Sequence, residues 1–251
     1  MIVSIIIPVY NEALVLPTVL QRVGAAPLPN GCTKEIIVVN DGSTDDTREL
    51  LTNYVDPPFT IVYHSPVNFG KGAAIRLGLT HSTGDIVLIQ DGDLEYDPRD
   101  YQAVLAPIVA GEADVVYGSR FLRGVRGMRK RNWVANKVLT YTTNLLFGAR
   151  ITDQATAYKA FRREVIERMK LRCIRFEFCA EVTAKVRRLG YRIREVPISY
   201  NPRGVLEGKK IRWPDGFKAL FTLFAYRFAP LTSFAVAPSV QLKNTVHDPA
   251  K

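Results

Sequence analysis

The chain has 251 residues, 47% of them apolar and 23% charged; that length supplies one sizeable core, and the balance excludes a disordered or collagenous chain. Its 34 Lys and Arg outnumber 24 Asp and Glu, for a formal charge of +10. Anionic partners are therefore expected, whether phosphate-bearing small molecules, anionic lipid or nucleic acid.

The opening "MIVSIIIPVYNE" has no basic leader and turns polar at Asn11, so it reads as a first strand and not a signal peptide. A helix is expected near 12–24, then the strand "EIIVVN" and a helix opening at Ser43, with Ser43 and Asp46 as a capping box. The run continues with "FTIVYH", a helix from about Gly70 to His81, "DIVLIQ", a helix from about Arg99, and "DVVYGS". Strand and helix taking turns predicts an α/β fold: a mostly parallel sheet flanked by helices on both faces. Ligands of such sheets bind beyond the carboxyl ends of the strands. The polar clusters "PVYNE", "NDGSTDD", "SPVNFGKG", "QDGDLE" and "GSR" all fall at those ends, which points to one site built from five loops.

In "QDGDLE", a Gly between two Asp residues lets both carboxylates approach one cation. Hard oxygen ligands of this kind suit Mg²⁺ or Mn²⁺ shared with substrate phosphates. An isolated DxD triplet is usually a solvated turn; this one ends a buried strand among four other polar loops. Asp97, just before Pro98, is assigned to capping the next helix. Asp41 can accept a base N–H, and Lys71, at a helix start, faces either a phosphate or solvent.

The second half is more basic, with "RFLRGVRGMRKR" from Arg120 to Arg131 and a further excess from Arg162 onward. Helices are expected over 131–148 and 176–190, then the half-buried strand "YRIREVPISY" and the basic loop "NPRGVLEGKKIRW". The segment 217–238 is interrupted by Lys218, Arg227 and Pro230, too often for a spanning helix. It reads either as an interfacial helix with flanking cations or as a helix packed on the core. Cys32, Cys173 and Cys179 form no CxxC pair and read as reduced thiols of a cytosolic protein. With no internal repeat, one domain is expected over 1–228, with a nucleotide-binding half at 1–120 and an acceptor half at 121–228. Residues 229–251 form a tail.

Together "SIIIPVYNE", "VVNDGSTDDT", "NFGKGAA", "DGDLEYDP" and "GSR", in this order, resemble the family 2 glycosyltransferases of the GT-A fold. "DQATAYKAFRRE", "FEFCAEVTAKVRRLGYRIREVPISY" and "GKKIRWPDGFKAL" resemble their polyprenyl-phosphate branch, which includes the dolichol-phosphate mannose synthases. The resemblance runs from residue 2 to about 228. It implies that Pro8, Tyr10, Glu12, Val39 and Asp41 hold the base and ribose of a nucleotide-sugar, with Lys71, Asp91, Gly92 and Asp93 completing donor binding. Asp91, Asp93 and Glu95 would meet the divalent cation. Glu95 stands where relatives often carry Gln, and Asn40 replaces a frequent first Asp.

A metal and fixed cations stabilise the anionic leaving group of such a transfer. A lipid phosphate acceptor is already ionised and needs neutralising cations more than a base; Arg120, Arg131, Arg203, Lys209 and Lys210 are the candidates. Asp93, Asp153 and Arg203 are the expected catalytic residues. In relatives that glycosylate hydroxyls an acid near Asp153 is the base of an inverting displacement; for a phosphate acceptor it orients Arg or Gln neighbours.

The implied function is inverting, metal-dependent transfer of a hexose from a UDP- or GDP-sugar to a polyprenyl phosphate, by a peripheral protein at the cytoplasmic membrane face. A glycosyltransferase with a hydroxyl acceptor and a non-catalytic nucleotide-binding, membrane-docking module remain alternatives. Sparse aromatic residues in the basic loops argue against nucleic acid. The absence of G-x-G-x-x-G after the first strand argues against a dinucleotide oxidoreductase.

Overall fold

The computed structural model describes residues 1–54, 60–125, 127–202 and 213–236. In chain order the strands are β1 (Ile2–Val9), β2 (Thr33–Asn40), β3 (Ile61–His64), β4 (Ile86–Ile89), β5 (Val115–Ser119), β6 (Lys159–Arg162) and β7 (Arg194–Pro197). The helices are α1 (Leu16–Ala25), α2 (Thr47–Thr52), α3 (Lys71–His81), α4 (Tyr101–Val109), α5 (Lys130–Phe147), α6 (Arg163–Glu167), α7 (Phe178–Arg188) and α8 (Trp213–Phe228).

All seven strands form one sheet in the order β3-β2-β1-β4-β6-β5-β7. β1 lies parallel to β2 and β4, β2 to β3, and β5 to β7. Strand β6 runs antiparallel to both of its neighbours. The sheet is mostly parallel and covered on both faces, as the alternation of strands and helices predicts.

Side-chain alternation divides the core in two. Ile5 and Ile7 of β1 and Ile86 and Leu88 of β4 pack with Leu16, Leu20, Val104 and Ile108 of α1 and α4. Ile6, Val87 and Ile89 face the other way, onto Ile75, Phe178, Val182 and Val186 of α3 and α7. Both faces of the central strands are buried, which explains their unbroken Val and Ile runs.

Two expectations need correction, and one strand was not foreseen. The helix after β2 starts at Thr47; Asp46 before it makes no side-chain cap, and the Thr47 N–H donates to Asp45 Oδ1 at 3.1 Å. Ser43 is used elsewhere: its Oγ accepts the Asn11 N–H at 2.9 Å, so the proposed box with Asp46 does not form. Strand β6 was assigned no structure from the sequence; it is four residues long and opens on a buried lysine, Lys159, in "YKAFR". Lastly, packing does not stop at 228: the N–H of Lys170 donates to the Phe234 carbonyl at 2.8 Å and Val236 to that of Arg168 at 2.9 Å, with Phe234 fully buried.

Helices α5 and α8 form an outer layer over α7, meeting its Ala180 and Ala184 through Ala219, Leu223, Leu139, Leu146 and Tyr226. The outward sides of α5 and α8 are apolar as well. Val134, Val138, Tyr141 and Leu145 on α5, and Phe217, Phe221, Phe224 and Phe228 on α8, are all exposed. Both sets follow a 4-3-4 spacing, so each forms a single stripe. Among the described residues no helix is long and apolar enough to cross a membrane.

Candidate active site

The loops at the carboxyl ends of β1, β2, β3 and β4 are joined by hydrogen bonds that hold them as one rim. Asn11, in a left-handed conformation (φ 50°), accepts the Thr44 N–H at 2.8 Å through its side-chain oxygen. The N–H groups of Glu12 and Ala13 donate to Thr47 Oγ1 and Asp45 Oδ2, each at 3.1 Å. Gly42, at φ +65°, lies so close to the next loop that a Cβ there would meet the Val67 carbonyl carbon at 2.2 Å. Asp41 is buried, and its two oxygens accept the N–H groups of Phe69 and Gly70 at 2.9 and 2.7 Å. The carboxylate expected to read a base thus also fastens the loop that carries Lys71.

The acidic turn after β4 closes onto this rim. A Cβ on Gly92 would come within 3.1 Å of the Pro8 carbonyl oxygen, so glycine is what brings the turn against the end of β1. Gln90, fully buried, donates from Nε2 to the Asp91 carbonyl at 2.8 Å and accepts the hydroxyls of Tyr101 and Tyr158. Asp93 Oδ1 accepts the Glu95 N–H at 3.0 Å. Asp91 is paired with the ammonium of Lys71. Burial pulls the Lys71 pKa down, but the charge and hydrogen bond of Asp91 together with Cys179 and Glu95 leave it above the ordinary lysine value.

The antiparallel run of β6 delivers the second half of the site. Because β6 points away from the carboxyl ends of β4 and β5, the residues just before it arrive beside the acidic turn. The N–H of Ala157 donates to the Tyr96 hydroxyl at 3.2 Å, and Tyr96 packs on Tyr158 at 4.8 Å between ring centres. Asp153 is fully buried and takes a two-pronged contact from Arg120: Nε to Oδ2 and an Nη to Oδ1, both 2.7 Å. Glu195 of β7 accepts the N–H of Asp153 at 2.9 Å and that of Thr152 at 2.7 Å, and burial pushes its carboxyl up.

Tyr200, which sequence reasoning did not single out, links the two halves. Its hydroxyl donates to Glu95 Oε2 at 3.4 Å, its ring lies 5.1 Å from the Arg120 guanidinium, and burial raises its pKa to about 12. Asn201 donates its N–H to the Glu95 carbonyl at 2.9 Å. The only sequence signal for this link is that "SY" ends an alternating strand.

Of the expected site residues, Pro8, Tyr10, Glu12, Asp41, Lys71, Asp91, Gly92, Asp93 and Glu95 share the rim and acidic turn, and Arg120 and Asp153 adjoin them through Tyr200. Val39 has its side chain fully buried on the sheet with Ala74 and Tyr63, so any donor contact there would run through its backbone. Arg120 is not an open phosphate receptor, since Asp153 holds it. Arg131 is exposed near the start of α5. Arg203, Lys209 and Lys210 lie outside the described residues.

Among the described residues no three His, Cys, Asp or Glu side chains form a ready cation cage, so Asp91, Asp93 and Glu95 are not a preformed triad. The donor chemistry nevertheless fits Mg²⁺ or Mn²⁺ taking one or two carboxylates and completing its shell with phosphate oxygens and water. Asp91 and Asp93 suit that pattern, on either side of a glycine.

The strand-end loops thus gather carboxylates and an ammonium beside the Arg120–Asp153 pair, at the sheet edge where ligands of mostly parallel α/β folds bind. The family model described as Glycosyl transferase family 2 matches residues 4–170, and the chain belongs to that family: it is a glycosyltransferase. It is 30% identical over 225 residues to a dolichyl-phosphate beta-glucosyltransferase of Trichomonas vaginalis, covering 83% of this chain and 68% of that one. With the polyprenol monophosphomannose synthase of Mycolicibacterium smegmatis it shares 34% over 223 residues, covering 83% and 82%. An undecaprenyl-phosphate 4-deoxy-4-formamido-L-arabinose transferase of Sodalis glossinidius is 35% identical over 170 residues, and the match spans about half (51%) of that protein and 66% of this chain. The GT-A fold is shared with glucosyl-3-phosphoglycerate synthase of Mycobacterium tuberculosis, solved with UDP: TM-score 0.67, 22% identity, 91% of this chain and 80% of that one.

Proposed function

We propose that the protein transfers a hexose, glucose or mannose, from a UDP- or GDP-sugar to a polyprenyl phosphate, with inversion and with Mg²⁺ or Mn²⁺. The observation that carries the choice of acceptor is the Asp153–Arg120 pair: a fully buried carboxylate with both oxygens held by a guanidinium is poorly placed to take a proton from an attacking hydroxyl. A phosphate acceptor needs no such base. The three relatives carry different sugars in their names, while dolichyl phosphate, polyprenol and undecaprenyl phosphate are one acceptor class. A solved GT-A neighbour contains Mn²⁺ and UDP-glucose.

In this reading the rim of Tyr10, Glu12 and Asp41 holds the nucleoside, and Lys71 faces the diphosphate. Bound at Asp91 and Asp93, the cation supplies charge stabilisation for the departing nucleotide diphosphate. Asp153 neutralises Arg120 and holds it 5.1 Å from the centre of the Tyr200 ring, which fixes that wall of the site. The positive field for the incoming phosphate comes from Arg131, Arg203, Lys209 and Lys210. The lipid tail is served by a peripheral stance at the cytoplasmic membrane face, with the apolar stripes of α5 and α8 toward the bilayer.

The test is transfer from radiolabelled UDP- and GDP-hexoses, with Mn²⁺, to undecaprenyl or dolichyl phosphate. Label extracted into the lipid phase as an acid-labile product is expected for one donor base. Transfer to saccharide hydroxyls, with none to either lipid phosphate, would sink the proposal.

A further inference from the structure

Lys71 sits where a lysine weakens its own helix. As the first residue of α3 it adds positive charge to the positive end of the helix dipole, and the first turn has no acidic residue to balance it. Its backbone is firmly seated. Asp41 holds the N–H groups of Phe69 and Gly70. A Cβ on Gly70 would meet the Ile174 carbonyl oxygen at 2.6 Å, and one on Gly72 the Cys173 carbonyl carbon at 2.9 Å. Two glycines thus let the helix start press against 173–175, and only the Lys71 side chain is left with freedom to move. That side chain and Asp91 are each about one-fifth exposed, so an arriving ligand can reach the pair.

We propose that Lys71 stands in for the divalent cation in the unliganded enzyme: its ammonium occupies Asp91 until a nucleotide diphosphate draws it away and leaves Asp91 to the metal. This rests on the nucleotide-sugar reading above. Net charge is conserved by the exchange: Lys71, Asp91 and Asp93 together carry one negative charge, and a divalent cation arriving with the two negative charges of a nucleotide-sugar diphosphate leaves that sum unchanged. Afterwards the ammonium faces the diphosphate, and Asp91 and Asp93 face the cation. The exchange makes metal and nucleotide bind as a coupled pair and keeps the bare cation weakly bound.

Mn²⁺ titrations followed by electron paramagnetic resonance, on the wild-type protein and Lys71→Met, with and without UDP or GDP, test this. Without nucleotide, Lys71→Met should bind Mn²⁺ about tenfold more tightly than wild type. At saturating Mn²⁺ it should bind nucleotide about tenfold more weakly, the weight of one charge-assisted contact in each case. Lys71→Arg, which keeps the charge, should stay near wild type in both. A folding defect would weaken both affinities, so the opposite signs are the signature. Mn²⁺ affinity of Lys71→Met that is unchanged or lower, while wild type binds Mn²⁺ with a nucleotide, overturns the exchange and leaves the donor reading standing. Wild type that binds Mn²⁺ with neither nucleotide overturns both.

Discussion

At the scale of single residues, the site depends on side chains whose second role is structural. Asp41 fastens the Lys71 loop, and Gln90 holds the carbonyl of Asp91 while joining two tyrosine hydroxyls. Asp153 is the sharpest case, because it anchors a buried arginine. Removing one partner of such a pair leaves an uncompensated buried charge, at a cost of roughly 3–5 kcal/mol. Asp153→Asn should therefore lower the midpoint of urea unfolding markedly, and loss of activity in that variant alone is no proof of a catalytic base. An unfolding midpoint equal to wild type would mean that Arg120 finds another partner. Gly92 is the opposite kind of residue: its contribution is the side chain it lacks, which lets the acidic turn touch Pro8.

At the scale of elements, the buried strand β6 carries a consequence for pH. Lys159 is wholly buried, donates to the Gln154 carbonyl at 2.9 Å, and lies 3.8 Å from the centre of the Tyr117 ring. Burial lowers its pKa from 10.5 to about 8. Between those values the unfolded chain binds the proton and the folded one has released it, so this group's contribution to stability rises with pH from about 8 to 10.5. Thermal unfolding of wild type and Lys159→Met across that window should show wild type gaining on the variant as pH increases; parallel curves would place the lysine in a wetter setting. This same residue explains what could and could not be read in advance. The parallel strands were legible because burial on both faces leaves runs such as "SIIIPV" and "DIVLI". Strand β6 has only four residues and opens on a charged one, so its direction, which brings Asp153 to the acidic turn, was not legible. The donor-side motifs were legible as clusters at strand ends, whereas the Lys71–Asp91 and Tyr200–Glu95 contacts join distant loops and leave no spacing signal. Ser43 had the right neighbours for a cap, but Asn11 offered its hydroxyl a tertiary partner instead.

At the scale of the whole molecule, the two apolar stripes change the reading of 217–238. The sequence offered either an interfacial helix or a packed one, and α8 is packed on one side and apolar on the other: Ala219 and Leu223 are buried with α7, while Phe221, Phe224 and Phe228 are exposed. Arg188 ties the end of this helix down by donating to the carbonyls of Tyr226, Arg227 and Ala229 at 2.6–2.9 Å. Helix α5 has no acidic residue, and α8 has one, Asp215, so the face combines apolar rows with net positive charge. Phe221→Asp with Phe224→Asp should abolish co-flotation with anionic liposomes at low salt and leave thermal stability near wild type, since both side chains are exposed. Flotation unaffected by the pair would place the lipid contact elsewhere.

The reversal of β6 also bears on how this architecture can diversify. Between the end of β5 and the start of β6 the chain leaves the sheet, builds α5 and returns, while every donor-side loop belongs to strands completed earlier. The stretch from Phe121 to Gly148 is in that sense an excursion, outside the rim that the loops after β1 to β4 build. Under the proposed function, acceptor preference can drift by rewriting one continuous piece of sequence while the donor-side loops are inherited unchanged.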